Sequence, residues 1–329
     1  MSPELVKRNR MRVLIAFAAV YFIWGSTYLF IKYGIETIPP FLMGASRFFI
    51  AGLLLYAFAR RRGAPAPEPR DWRSAAITGV LMLGLGNGGV MWAELTVPSG
   101  VVALIVSTVP IWIVLLDWLR PNGTRPRLAV FAGLAIGLAG MIILVGPRAV
   151  VGQGHVDSLG TLVLVIGTVG WALGSILTRG SQRSKAPLVY ASLQMLAAAA
   201  ALFVMSVAMG DLGFFSLAQV SLRSALSWVY LVIAGSIIGY TAYVYLLGQV
   251  SAARAATYAY VNPVIAVVLG WAFANEPIGW RTIIAAAVTL AGVAMITTAQ
   301  SSGHGGPSGT GEHRLPPSNT PAQRERPAA

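Results

Sequence analysis

The side chains best suited to hold a solute lie in one apolar stretch, Val250–Pro277, which reads VSAARAATYAYVNPVIAVVLGWAFANEP. Tyr258, Tyr260 and Asn262 stand beside Pro263 in the middle of it. The stretch is long enough to cross a bilayer, which takes about 20 helical residues. Pro263 has no N–H and its ring crowds the carbonyl of Ala259, so a bend with a free acceptor is expected there. Lipid offers that acceptor no partner, so the bend must face protein or a water-filled cavity, with the phenols and the amide lining the same space. The chemistry implied is recognition: aromatic faces to shape-select, hydroxyls and amides to orient polar groups.

The pattern is used twice. A shift of 153 residues lays Pro110 on Pro263 and Trp118 on Trp271; Trp24 and Pro40 match Trp171 and Pro187; Leu138–Gly140 recurs as Leu290–Gly292. A repeat with proline-bearing spans in equivalent places is the sequence pointer to a transporter, with Pro110 and Pro263 as candidate hinges.

Around these residues the chain must be a membrane protein. Of its 329 residues 56% are hydrophobic and only 11% charged, with mean hydropathy +0.70. Soluble domains carry about 25% charged residues. There is no cysteine, so disulfides and thiolate ligands play no part. Ten apolar spans can be drawn, near 13–33, 41–59, 74–94, 98–119, 128–146, 160–179, 187–209, 226–247, 251–274 and 280–298. With the N-terminus inside, 19 of the 24 Lys and Arg residues fall in cytoplasmic segments and 3 outside, a strong positive-inside split. The net charge of +13 is therefore a topology device read against lipid, and no nucleic-acid partner is implied.

The expected fold is an all-α polytopic membrane protein, ten transmembrane helices as two inverted-topology five-helix repeats. Its parts are a basic cytoplasmic arm (1–12), a first repeat (13–146), a periplasmic link (147–159), a second repeat (160–298) and a disordered cytoplasmic tail (299–329). The expected location is the cell (inner) membrane, with both termini cytoplasmic. Because the first apolar run continues past Trp24 and Tyr28 without a cleavage site, it reads as an uncleaved span.

Several further residues bear on a site. In span one Trp24, Ser26 and Thr27 lie at mid-depth, and Trp171 and Ser175 are placed likewise in span six; packing and cavity lining are both open for them. Arg47 lies inside span two, about 9 Å below its outer end by helix rise. It either snorkels or pairs with Glu36 or Glu94, or it contacts an anionic solute from the outer side; its repeat mate is Gln194. Glu94 is expected at a wet outer end, ionised. Gly84, Gly86 and Gly89 satisfy G-x-G-x-x-G, but inside a span the motif has neither the strand nor the aqueous helix N-terminus that a dinucleotide needs. Those glycines instead allow close approach, with Asn87 and Trp92 as the polar and aromatic contacts. Asp117 should pair with a loop arginine. Gly133, Gly137 and Gly140 read as a packing face or as a dimer face, and on the second alternative the partner is a homodimer through helices five and ten.

At this point the residues WGSTYLFIKYGIETIPPF with Arg47, then GNGG, VPSG and ATYAYVNPVIAVVLGW, resemble the drug/metabolite transporter superfamily, its EamA family and, within that, the YedA-like members. The likeness runs from about Leu14 to Ile296. It implies a ten-helix basket around a central cavity, alternating access, and a lining of Trp24, Ser26, Thr27, Asn87, Trp92, Ser107, Trp171, Tyr240, Tyr243, Tyr260 and Asn262. The implied cargo is a small metabolite, an amino acid or a drug-like molecule, moved as an export substrate, with no cofactor and no metal.

Two other classes compete. A membrane enzyme on a lipid-soluble substrate would need a clustered His/Asp/Glu set or an activated nucleophile, and the sequence shows no HExxH, G-x-S-x-G or P-loop. A scaffold would leave the paired prolines and their polar neighbours without a purpose. No catalytic residue is therefore expected. Proton coupling is the open point, because no Asp, Glu or His sits at mid-depth in any span.

Overall fold

The structure, a computed structural model, describes residues 3–97, 99–121, 123, 125–145, 157–181, 186–274 and 279–301. The link at 146–156, Asn122, Thr124 and the tail from 302 lie outside the described residues. Everything described is helix or connection, with no strand among the described residues. Eight of the helices are long and apolar enough to cross a membrane, and Leu128–Leu144 is a shorter apolar one.

The elements in order are α1 (Pro3–Gly34), α2 (Pro40–Arg61), α3 (Pro69–Gly79), a π-helical run π1 (Val80–Asn87), α4 (Gly88–Ala93), α5 (Ser99–Val106), α6 (Val109–Leu119) and α7 (Leu128–Val145). Then come α8 (Ser158–Ser181), α9 (Pro187–Ala208), the short α10 (Asp211–Phe214), α11 (Leu222–Tyr230), a second π run π2 (Leu231–Tyr240), α12 (Thr241–Gln249), α13 (Ala252–Ala255), α14 (Tyr258–Ala274) and α15 (Trp280–Ser301).

Local chemistry sets the ends. Pro40, Pro69 and Pro187 each occupy a first helical turn, where a missing N–H costs nothing. Glu68 and Asp71 close a reciprocal capping box on α3, and Ser221 and Ser251 cap α11 and α13 through the amides of Ser224 and Arg254. Asp157 does the same for α8, accepting from the amides of Leu159 (3.1 Å) and Gly160 (3.2 Å), and the Thr96 hydroxyl donates to it across the fold at 2.8 Å. After α2 and α9 the chain turns through Gly63 and Gly210 at φ 81° and 76°, a region costly for any residue with a Cβ.

The halves interlock by a symmetric rule. α2 packs on α9, and α7 on α15; α1 packs on α14, π2 and α12, while α8 packs on α6, π1 and α4. Exchanging the halves maps the first two pairings onto themselves and turns the α1 set into the α8 set. Small residues allow it: a Cβ on Gly140 would sit 2.6 Å from the backbone nitrogen of Thr289, and one on Gly292 would sit 2.5 Å from that of Gly137. Of the glycines named above, Gly133 and Gly140 meet α15, and Gly137 meets both α15 and Tyr260 of α14, within one chain. Gly86 and Gly89 likewise admit α8, at Trp171 and Val163.

Both π runs fall at matching places, since the 153-residue shift lays Gly86 on Gly239. A π run carries an extra residue per turn and re-aims the side chains beyond it, a feature common at functional sites. The proline spans differ from expectation in detail. The first is interrupted at Ser107–Thr108, so that Pro110 begins α6 instead of bending a continuous helix. The second is interrupted at Ala256–Thr257, upstream of Pro263, which lies within α14. Hydroxyls serve the carbonyls beside both breaks: Ser107 donates to Leu104, Thr108 to Ile105 and Thr257 to Arg254.

Candidate solute site

A cavity of about 70 Å³ sits where α1, α2, π1, α4, the α5–α6 break, α8 and α14 converge. One water needs roughly 10–15 Å³, so the space suits a few waters and not a larger molecule. Its polar lining is Thr27, Tyr28, Arg47, Asn87, Thr168, Tyr258 and Asn262, beside the indoles of Trp24 and Trp171 and the backbones of Gly86 and Gly167.

Aromatic rings form part of its wall and back it. Trp24 meets Trp171 edge-on with centroids 5.6 Å apart, Tyr258 at 4.7 Å and Tyr243 at 5.2 Å. Tyr243 also touches Trp171 (5.8 Å) and Tyr258 (5.4 Å). Such pairs contribute about 0.5–1.5 kcal/mol each beyond their burial. The indole N–H groups are spent, Trp24 on the Gly235 carbonyl of π2 at 3.1 Å and Trp171 on the Tyr243 hydroxyl at 3.4 Å, where Ser175 also bonds at 2.9 Å. What the tryptophans present to the cavity is therefore carbon. Each lies on a glycine of the opposite half: a Cβ on Gly239 would be 2.6 Å from Trp24 Nε1, and one on Gly86 would be 2.8 Å from Trp171 Cε3.

The polar lining is unevenly satisfied. Thr27 and Thr168 donate to carbonyls three residues back, at 2.8 Å each. With its amide oriented so that Nδ2 donates, Asn262 bonds the Tyr258 carbonyl (3.0 Å) and the Tyr21 carbonyl (3.3 Å), clamping α14 to α1. Asn87 Oδ1 has no partner. Arg47 is 3% exposed; its Nε donates to Ser236 Oγ of π2 at 2.8 Å, its guanidinium carbon lies 4.5 Å from the Phe48 ring centroid, and Nη1 has no partner. Neither snorkelling nor ion pairing describes it: Glu36 pairs with Arg223, and the other ion pair among the described residues is Asp117–Arg120 at 2.9 Å. Its repeat mate Gln194 donates to Thr78 (2.8 Å) and Thr178 (2.9 Å). Glu94 lies off the cavity, with Oε2 shielded from water and unpartnered, drier than its place in the sequence suggests.

Of the residues singled out in sequence, Trp24, Thr27, Arg47, Asn87, Trp171 and Asn262 line this cavity, and Tyr243 stands behind them in the ring cluster. The others point elsewhere. Ser26 bonds the Tyr230 hydroxyl at 2.6 Å; Ser107 is buried at the break and donates back to Leu104 of α5. Tyr240 reaches Met82 Sδ at 3.8 Å, Tyr260 lies against Gly137 and the Leu134 carbonyl, and Trp92 packs on the core. Neither Pro110 nor Pro263 reaches the cavity. Tyr258, one of the two phenols expected beside Pro263, also lines it, whereas sequence reading left out Tyr28 and Thr168, although helical spacing could have found them: they stand four and three residues from Trp24 and Trp171.

Comparison with known proteins decides the class. The EamA-like transporter family model matches residues 11–146 and again 158–298. The chain belongs to the EamA family. It is 39% identical over 285 residues to an inner membrane transporter of Escherichia coli K12, YedA, whose function is described as uncharacterized, covering 86% of this chain and 89% of that one. It is also 26% identical over 282 residues to a WAT1-related chloroplastic protein of Arabidopsis thaliana, covering 84% of this chain and 67% of that one. A solved crystal structure shares the fold at TM-score 0.72 and 24% identity, over 89% of this chain and 98% of the other. The EamA match makes this chain a membrane transporter by family, as its relatives are named.

Proposed function

We propose that this EamA member is a secondary transporter or facilitator that moves a small metabolite or drug-like molecule, exported from the cell, by alternating access through the cavity described. In this reading the chain crosses the inner membrane ten times as two inverted five-helix repeats, with both termini in the cytoplasm. The ten crossings are the eight long helices, α7, and α13–α14 taken together. The supporting observation is that one cavity draws its lining from both halves and is walled in part by Trp24, Trp171 and Tyr258, with Tyr243 packed behind them. Solute pockets commonly measure about 300–1,000 Å³, so a cavity of about 70 Å³ is a contracted site. Binding must separate the rings, and alternating access supplies that separation.

The experiment is flux of a metabolite panel in proteoliposomes of purified protein, with and without a proton gradient. Trp24→Ala and Asn262→Ala should abolish movement of the transported solute while the protein still inserts and elutes normally. Full flux in both variants would sink the assignment of this cavity.

A further inference from the structure

Arg47 is the one cationic side chain in the cavity lining among the described residues, and no carboxylate lies within ion-pair distance of it. A charge at membrane depth is costly even on permissive scales, about 2.5–3.5 kcal/mol at a helix centre, and a buried ion with no counter-ion is costlier still. This one has been left uncompensated. Ser236 fixes the guanidinium by its Nε and the Phe48 ring flanks it, while Nη1 remains unbonded although shielded. The guanidinium is therefore held at one nitrogen by Ser236 while it lines the cavity, and Nη1 is left with hydrogen-bonding capacity that nothing in the protein uses.

Resting on the carrier reading above, we propose that the cavity recognises a monocarboxylate, whose two oxygens Arg47 takes on its guanidinium while the rest of the solute lies against Trp24 and Trp171. Planar two-point pairing of guanidinium with carboxylate is the match this group is built for. One negative charge neutralises the one fixed positive charge. A phosphate monoester would bring surplus charge into a lining with no second cation, and an ammonium group would meet a like charge with no acid to receive it. The free Asn87 Oδ1 accepts only from a donor, so it suits a hydroxyl or amide elsewhere on the solute.

The test uses the full chain, purified in detergent, and four ring compounds that differ in their charged end: benzoate, phenyl phosphate, benzyl alcohol and benzylamine. Affinities are measured by calorimetry at neutral pH, where benzoate is ionised. Benzoate should bind tightest. Arg47→Gln should weaken benzoate by on the order of 30-fold, as for loss of one partner of a buried charge pair, and leave benzyl alcohol unchanged. Arg47→Lys should give an intermediate loss, since it keeps the charge and loses the fork. Ser236→Ala, which keeps the charge and frees Nε, should weaken benzoate alone. If Arg47→Gln does not fold, the wild-type ranking decides. Tighter binding of phenyl phosphate, benzyl alcohol or benzylamine overturns the proposal, as does benzoate binding that Arg47→Gln leaves intact, or no binding of any probe. Any of those results alongside Trp24-dependent flux in proteoliposomes refutes only the carboxylate assignment. Loss of the flux dependence itself refutes the carrier reading.

Discussion

Trp24 lies on Gly239 and donates its indole N–H to the Gly235 carbonyl, so the first helix is held to the second π run by a contact that only a glycine can allow. Trp171 lies on Gly86 of the first π run in the same manner. The two indoles then meet each other, and this joint between the halves is also the wall of the cavity.

Gly239→Ala should therefore displace Trp24, and Gly86→Ala should displace Trp171. Overpacking of this kind costs about 1–3 kcal/mol, measurable as a lowered thermal inactivation midpoint in detergent. In a Trp24→Ala background the Gly239→Ala penalty should shrink, because the clashing ring is gone. An unchanged penalty would show that the contact is not the cause.

Gly292→Val should disrupt the packing of α15 on α7, where even a Cβ would come within 2.5 Å of the Gly137 nitrogen. The expected result is loss of monodisperse protein in size-exclusion chromatography, with no selective effect on solute preference. A variant that stays monomeric and active while a wild-type dimer dissociates would instead assign this face to self-association.

Asp157 gives a pH dependence with a definite sign. The Thr96 hydroxyl, then the amides of Leu159 and Gly160, hold its carboxylate below the usual aspartate range against the opposing effect of desolvation. A depressed carboxylate stabilises the folded state above its unfolded pKa, about 3.9, and that stability is lost as pH falls through the lower folded value. Asp157→Asn should lower the thermal midpoint at pH 7 and leave it unaltered at the acid end. Equal losses at both ends would deny the linkage.

The exposed Glu36–Arg223 pair should matter little. Pairs of this kind contribute about 0–1 kcal/mol, so Glu36→Gln should leave both thermal midpoint and flux near wild type, and a large loss of either would contradict that estimate.

A reporter fused after Gln300 should read cytoplasmic, given the excess of Lys and Arg in the segments assigned inside. A periplasmic signal would reverse the orientation of the cavity and with it the direction of the proposed export.

Much of the molecule is legible in its sequence. Hydropathy marks the helices, the shifted match of Trp24 with Trp171 marks the central pair, and the glycines at 86 and 137 read rightly as points of close approach. The π runs are not legible, because one surplus residue in a helix of Leu, Ile and Gly leaves no break in the apolar pattern. That surplus changes the angle at which later side chains emerge, and Tyr240 points at Met82 while Tyr243, three residues on, meets Trp171. Ser26 and Ser107 illustrate a second limit. Short hydroxyl side chains in helices satisfy nearby carbonyls first, so a polar residue at mid-depth is weak grounds for a solute contact. Arg47 cannot be settled from sequence for a third reason: whether an acid reaches it depends on where Glu36 and Glu94 end up in space.

At matching places the two halves carry unlike groups, a fixed cation at 47 and, at 194, a neutral carboxamide already engaged with Thr78 and Thr178. A carrier with identical doors would load equally fast from either face. For the carboxylate cargo proposed above, the cationic foothold belongs to one half only, so capture and release are expected to run at different speeds in the two directions, while the final distribution across the membrane is still fixed by the gradients alone.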